Sequence, residues 1–133
     1  AAALAPALRS GGGVSDGVAK ARDAAGRIVM VCDVLSGLAS PDVETFAGDV
    51  RTQWAVEMGL IRIGEAVSRV PADVLERFPD QPWRLMIAMR NLAAHQYDDL
   101  DPRRVWRTLT SDVPSLRTYL VDTVLPGLAR ADD

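Results

Sequence analysis

Apolar residues return every three or four positions along most of this chain. Val18, Ala21, Ala25, Ile28, Cys32 and Leu35 form the first such run, the spacing of an amphipathic helix that buries one stripe. It predicts a helix from about Val14, closed by Pro41. A second helix is expected to open at Asp42, whose carboxylate suits the free amide donors of a first turn, and to run to about Val70 before Pro71. This segment carries two stripes. Trp54, Met58, Ile61 and Glu65 make one, and Val56, Leu60, Ile63, Val67 and Val70 make another, about 200° away on ideal geometry. A helix apolar on opposite sides is either central in its bundle or shared with a second chain. In a domain of four helices the second arrangement is expected, which gives a homodimer.

Ala72 to Phe78 predicts a short connector helix, closed by Pro79, and the next helix restarts around Pro82, a residue suited to a first turn. The last long segment begins with Asp101 as N-cap and Pro102 behind it, then repeats Val105, Leu109, Val113, Leu116, Leu120 and Val124 at helical spacing. Pro114 is expected to kink or restart it. No repeat of 20 to 50 residues and no strand-length alternation bounded by hairpin signals is present. The expected fold is all-α, a bundle of four long helices with one short connector. Residues 1–13 are low in complexity and end in three glycines, so they are expected to form a disordered tail, with the domain spanning 14–130.

Composition narrows the function classes. A chain of 133 residues that is 48% hydrophobic holds one core, and aromatics at 5% with abundant Ala, Val and Leu suit close-packed helices better than a sandwich of sheets. The net charge of −3 gives no overall pull toward nucleic acid, which leaves a local basic cleft as the only electrostatic route to it. The single Cys32 excludes an intramolecular disulfide, and with one histidine it cannot build a structural zinc site inside one protomer. A reducing cytoplasm is the expected compartment. No stretch approaches the roughly 20 apolar residues of a spanning helix, and no basic segment precedes Ala1 to Leu8 to mark an export signal, so no membrane association is expected.

The candidate chemistry lies on the helix that starts at Pro82, in its polar second half: Arg90, Asn91, His95, Gln96 and Tyr97. Arg90 and Tyr97 are seven residues apart and project to one side of an ideal helix, whereas His95 lies about 140° from Arg90. Three things reconcile them: the reach of the Arg side chain, loosening of the helix near His95, or a cleft built by two copies of the helix. Ala93 and Ala94 favour the last, because small side chains let two helices approach closely. Simpler roles exist for each residue. A histidine near a helix end can act as a cap, an arginine as an ion-pair partner, and a tyrosine as an amphipathic packing residue. Glu65 is expected either to pair with Arg90 or Arg62 or to face the cleft. Asp98, Asp99 and Asp101 are better explained by helix capping than by a metal site, and no metal is expected. Trp83, Trp106 and the four methionines, Met30, Met58, Met86 and Met89, are expected to pack.

The run Arg90-Asn91-Leu92-Ala93-Ala94-His95-Gln96-Tyr97 resembles the R-x4-H-x-Y motif of HepT-like HEPN-domain toxins. Ile63-Gly64-Glu65-Ala66 is similar to the central-helix signature of that family, Pro82-Trp83 to the entry of its catalytic helix, and Val105-Trp106 with Asp112-Val113-Pro114 to its final helix. The resemblance covers about residues 15–125. It implies a HEPN-type bundle acting as a symmetric dimer, a metal-independent endoribonuclease, and the toxin half of a toxin–antitoxin pair. Arg90, Asn91 and His95 would be catalytic, and the products would carry a 2′,3′-cyclic phosphate and a 5′-hydroxyl. It also implies that a MntA-like nucleotidyltransferase antitoxin silences the toxin by transferring AMP to Tyr97. Arg103, Arg104 and Arg107 follow the motif closely and extend a track for an RNA backbone, or else form a solvated face. The alternative is a non-catalytic HEPN module that binds nucleotides or serves as the partner subunit of a nucleotidyltransferase.

Overall fold

A computed structural model describes residues 4–96 and 100–131, with side chains described for 16–88, 90 and 100–129. Every regular element among these residues is helical: α1 (Leu4–Ser36), α2 (Val43–Ala47), α3 (Val50–Ser68), α4 (Ala72–Glu76), α5 (Trp83–Gln96), α6 (Pro102–Arg107), π1 (Thr108–Asp112), α7 (Val113–Tyr119), π2 (Leu120–Val124) and α8 (Leu125–Ala131). The last five are consecutive, so the long rods are α1, α3, α5 and the composite helix 102–131. The domain is the all-α bundle that the periodicity predicts.

The buried set follows the predicted stripes. Val18, Ala21, Ala25, Ile28, Cys32 and Leu35 from α1 meet Val56, Leu60, Ile63 and Val67 from α3 and Val105, Leu109, Val113, Leu116, Leu120 and Val124 from the composite helix. Each fully buried Leu or Val among them contributes about 1.5–3 kcal/mol through apolar area removed from water. Trp83 is buried, and its Nε1 donates to the Phe78 carbonyl at 2.8 Å, so α5 is anchored to the connector at its first residue. Asp33 and Arg117 join α1 to α7 at 2.6 Å.

Three expectations need correction. The helix expected over 42–70 is two helices. Asp42 caps α2 by accepting from Thr45 N at 2.7 Å, and Asp49 caps α3 by accepting from Thr52 N at 3.2 Å and Thr52 Oγ1 at 2.7 Å. Gln53 Nε2 donates to the carbonyls of Phe46 and Ala47, satisfying acceptors left at the end of α2, while the Phe46 ring is wholly buried and fixes this short helix to the core. The first helix ends at Ser36 rather than at Pro41. Met30 and Met58 are exposed in the protomer, at 60% and 50%, rather than packed.

Pro114 acts as expected at the start of α7, and the turn before it widens to π geometry. Proline has no N–H to give the carbonyl four residues back, and Thr110 Oγ1 donates to Trp106 O at 2.9 Å within the same turn. A second wide turn occupies Leu120–Val124. Together they hold the buried face in line. From Val105 to Leu128 its steps are almost all of four residues, which an unbroken α-helix would carry gradually around its axis.

Candidate active site

α5 packs chiefly on α3, and the two helices touch at Gly64. A Cβ at that position would lie 2.6 Å from Arg90 Cβ and 2.6 Å from the Met86 carbonyl oxygen. Only glycine allows this approach without moving backbone, because one of the two clashing atoms belongs to the main chain of α5. The stem of Arg90 is therefore set against α3 by the residue facing it. On the opposite side Gly59 makes a similar approach to Leu35 of α1, so α3 is closely flanked by both neighbours.

The head of Arg90 is held on the same helix. Nη1 donates to Glu65 Oε2 at 3.3 Å and to Ser68 Oγ at 3.2 Å. The Ser68 hydroxyl itself donates to the Glu65 carbonyl at 2.6 Å, which turns a lone pair toward the guanidinium. The other carboxylate oxygen of Glu65 lies 3.9 Å from Arg69 Nη2. Of the two partners expected for Glu65, the structure selects Arg90 over Arg62. With 27% of its side chain exposed, Arg90 is both ordered by these contacts and open to solvent, as a group that receives an anion must be.

Asn91 and His95 lie on the helical backbone of α5, which continues to Gln96; their side chains and all of Tyr97 fall outside the described residues. Of the three reconciliations, a loosening of the helix does not fall within the described part of α5, whose backbone stays helical to Gln96. The reach of Arg90 is directed toward Glu65 and Ser68. Arg103 is paired with Glu44 of α2 at 2.9 Å, while Arg104 and Arg107 are exposed on α6. Asp101 caps α6, accepting from Arg103 N at 3.0 Å; Asp98 and Asp99 lie outside the described residues. Among the described residues no three His, Cys, Asp or Glu side chains gather as a metal cluster, and no helix is long and apolar enough to cross a membrane.

Sequence reasoning missed Ser68 and the role of Gly64. Ser68 stands three positions after Glu65, on the same face of α3, and that spacing was a usable signal. The stripe of α3 that carries Trp54 and Met58 is largely uncovered in the protomer: these two and Val50, one turn earlier, are each at least half exposed, Trp54 at 61%, while Ile61 is half-buried between them and Glu65.

Comparison with known proteins places these features in a family. The family model described as Ribonuclease HepT-like matches residues 28–122, a span that contains Gly64, Glu65, Ser68 and Arg90. A probable ribonuclease HepT of Thermococcus cleftensis is 42% identical over 74 residues, 56% of this chain and 67% of that protein. Two putative RNases of Methanocaldococcus jannaschii are each 32% identical over 85 residues, 64% of this chain and 73% and 78% of their own lengths. No solved structure matches.

Proposed function

Because this chain belongs to the HepT-like ribonuclease family, we propose that it is an endoribonuclease toxin whose reaction centre is built on α5. The observation that carries the reading is Arg90, half sheltered and oriented at the α3–α5 contact within the motif Arg90-x4-His95-x-Tyr97. In the proposed reaction a ribose 2′-hydroxyl attacks the adjacent phosphorus and the bond to the 5′-oxygen breaks. This leaves a 2′,3′-cyclic phosphate and a 5′-hydroxyl. His95 supplies the proton chemistry, since an imidazole with an ordinary pKa near 6.5 takes the 2′ proton or returns one to the leaving oxygen at neutral pH. Arg90 neutralises charge growing on the non-bridging oxygens, with Asn91 orienting the phosphate beside it. The scheme needs no metal. Arg104 and Arg107, together with Arg103, are proposed to follow the RNA backbone, and Glu65 borders the same cleft.

The acting form is proposed to be a dimer. On ideal helical geometry position 95 lies about 140° around the axis from position 90, and in the proposed dimer two copies facing each other bring one copy's imidazole to the other's guanidinium. The uncovered stripe of Val50, Trp54 and Met58 supports an interface there, as large exposed apolar runs on a helix mark an unmet partner. The proposed regulator is a MntA-like nucleotidyltransferase antitoxin. AMP transferred to Tyr97 adds phosphate charge and bulk where the RNA phosphate must enter.

The test is purified protein incubated with RNA, with and without a chelator. Chelator-resistant cleavage that falls about 10²- to 10⁴-fold in His95→Ala, and is also lost in Arg90→Ala, is the expected outcome. Full activity in His95→Ala ends the proposal. A wild-type protein that leaves RNA intact yet binds nucleotides favours the non-catalytic module.

A further inference from the structure

We propose that Glu65 and Ser68 are positioning residues that clamp the guanidinium of Arg90 at the α3–α5 contact, acting on RNA cleavage through that arginine rather than by touching RNA. The proposal rests on the ribonuclease reading above for its kinetic part only.

Three residues of one helix turn converge on one side chain. Gly64 lets the Arg90 stem into the surface of α3, and Glu65 and Ser68 then take Nη1 from two directions at 3.3 and 3.2 Å. The polarity of the contact is fixed. Ser68 spends its proton on the Glu65 carbonyl at 2.6 Å, so toward Arg90 it can only accept. Glu65 is steadied in turn, with Oε2 on Arg90 and Oε1 facing Arg69 at 3.9 Å. A free arginine side chain carries about 2 kcal/mol of rotamer entropy, and a preformed clamp removes that cost before the phosphate arrives.

The chemistry separates this role from direct RNA contact. A carboxylate beside a phosphate repels it, so Glu65 opposes ground-state binding while it orders the group that serves the transition state. Removing the clamp should therefore lower the rate of the chemical step without weakening RNA affinity. A residue that touches RNA would lose both together.

The experiment uses the full chain labelled with ¹⁵N, in wild-type, Glu65→Gln, Ser68→Ala, Ser68→Thr and the Glu65→Gln/Ser68→Ala double variant. Arginine side-chain spectra are recorded, with Arg90 identified by the signal absent from Arg90→Lys. Restricted rotation of the Arg90 guanidinium is expected in the wild type and in Ser68→Thr, and faster rotation in the double variant. Single-turnover cleavage should fall about 10- to 100-fold in the double variant, the scale of a misplaced catalytic group. RNA affinity should stay within about threefold or tighten, and Ser68→Thr should retain the wild-type rate. Unchanged guanidinium rotation in the double variant overturns the clamp, and a loss of RNA affinity matching the loss of rate overturns its indirect action. Should the wild type leave RNA intact, the ribonuclease reading fails while the rotation measurement still decides the clamp.

Discussion

Replacing Gly64 by alanine adds one methyl group at the place where α3 and α5 touch. The added carbon would stand 2.6 Å from Arg90 Cβ and 2.6 Å from the Met86 carbonyl, and restoring ordinary contact near 3.4 Å requires about 0.8 Å of separation between the helices. Overpacking of this kind costs about 1–3 kcal/mol. Alanine regains about 0.5–1 kcal/mol over glycine in a helix interior, leaving a net loss of about 1 kcal/mol. For a domain of this size that is a fall in Tm of about 4 °C. Gly26→Ala is the control, because a Cβ there meets nothing within 4 Å and only the helix preference acts, so its Tm should rise by about 2–4 °C. Thermal unfolding followed by circular dichroism compares the pair. The larger expected effect of Gly64→Ala is on chemistry, since displacing Arg90 by nearly 1 Å should lower RNA cleavage about 10²-fold at a temperature where the variant is folded. A Gly64→Ala protein as stable as the wild type would refute the close contact.

Trp54→Glu with Met58→Glu places two charges on the uncovered stripe of α3, and sedimentation should find the wild type dimeric and the double variant monomeric; a double variant that dimerises as the wild type does excludes that face. The Asp42 and Asp49 carboxylates are held below the usual carboxylate range by hydrogen bonds from Thr45 and Thr52. Lowered folded-state values mean their stabilisation is complete above the unfolded value of 3.8 and is lost as pH falls through the folded ones. The urea midpoints of Asp42→Ala and Asp49→Ala should thus lie below wild type at neutral pH and draw toward it as pH falls below 3.8 and through the lower folded-state values; a gap independent of pH contradicts the capping account. Burial pushes the Cys32 thiol up to about 11, with Asp33 adding to the shift and Arg117 opposing it. A disulfide reagent should label Cys32 only as fast as the protein unfolds, and rapid labelling of the native chain at pH 8 would disprove that burial.

The stripes were legible because burial on one side of a helix leaves a 3.6-residue period that no other element imitates, and each predicted core position of α1 and of the composite helix is buried. The break after α2 was not read, although Asp42 with Thr45 and Asp49 with Thr52 repeat one capping spacing seven residues apart. Period continues across such a break, so only the second cap marks it. Wide turns leave almost no local signature beyond a run of four-residue steps, and Pro114 announced a disturbance without its geometry. Within the site, the Glu65–Arg90 pair was legible from the face Glu65 occupies. The need for Gly64 was not, because it depends on which helix crosses there and how closely.

The wide turns at 108–112 and 120–124 have a consequence for how the gene tolerates changes of length. Each accommodates one residue more than an α turn requires, so deleting a codon inside either one leaves the downstream apolar face in phase. The same deletion within 113–119 would swing everything beyond it by about 100° and expose Leu128. Single-residue deletions, ordinarily confined to loops, thus have two admissible positions inside the longest rod after α1.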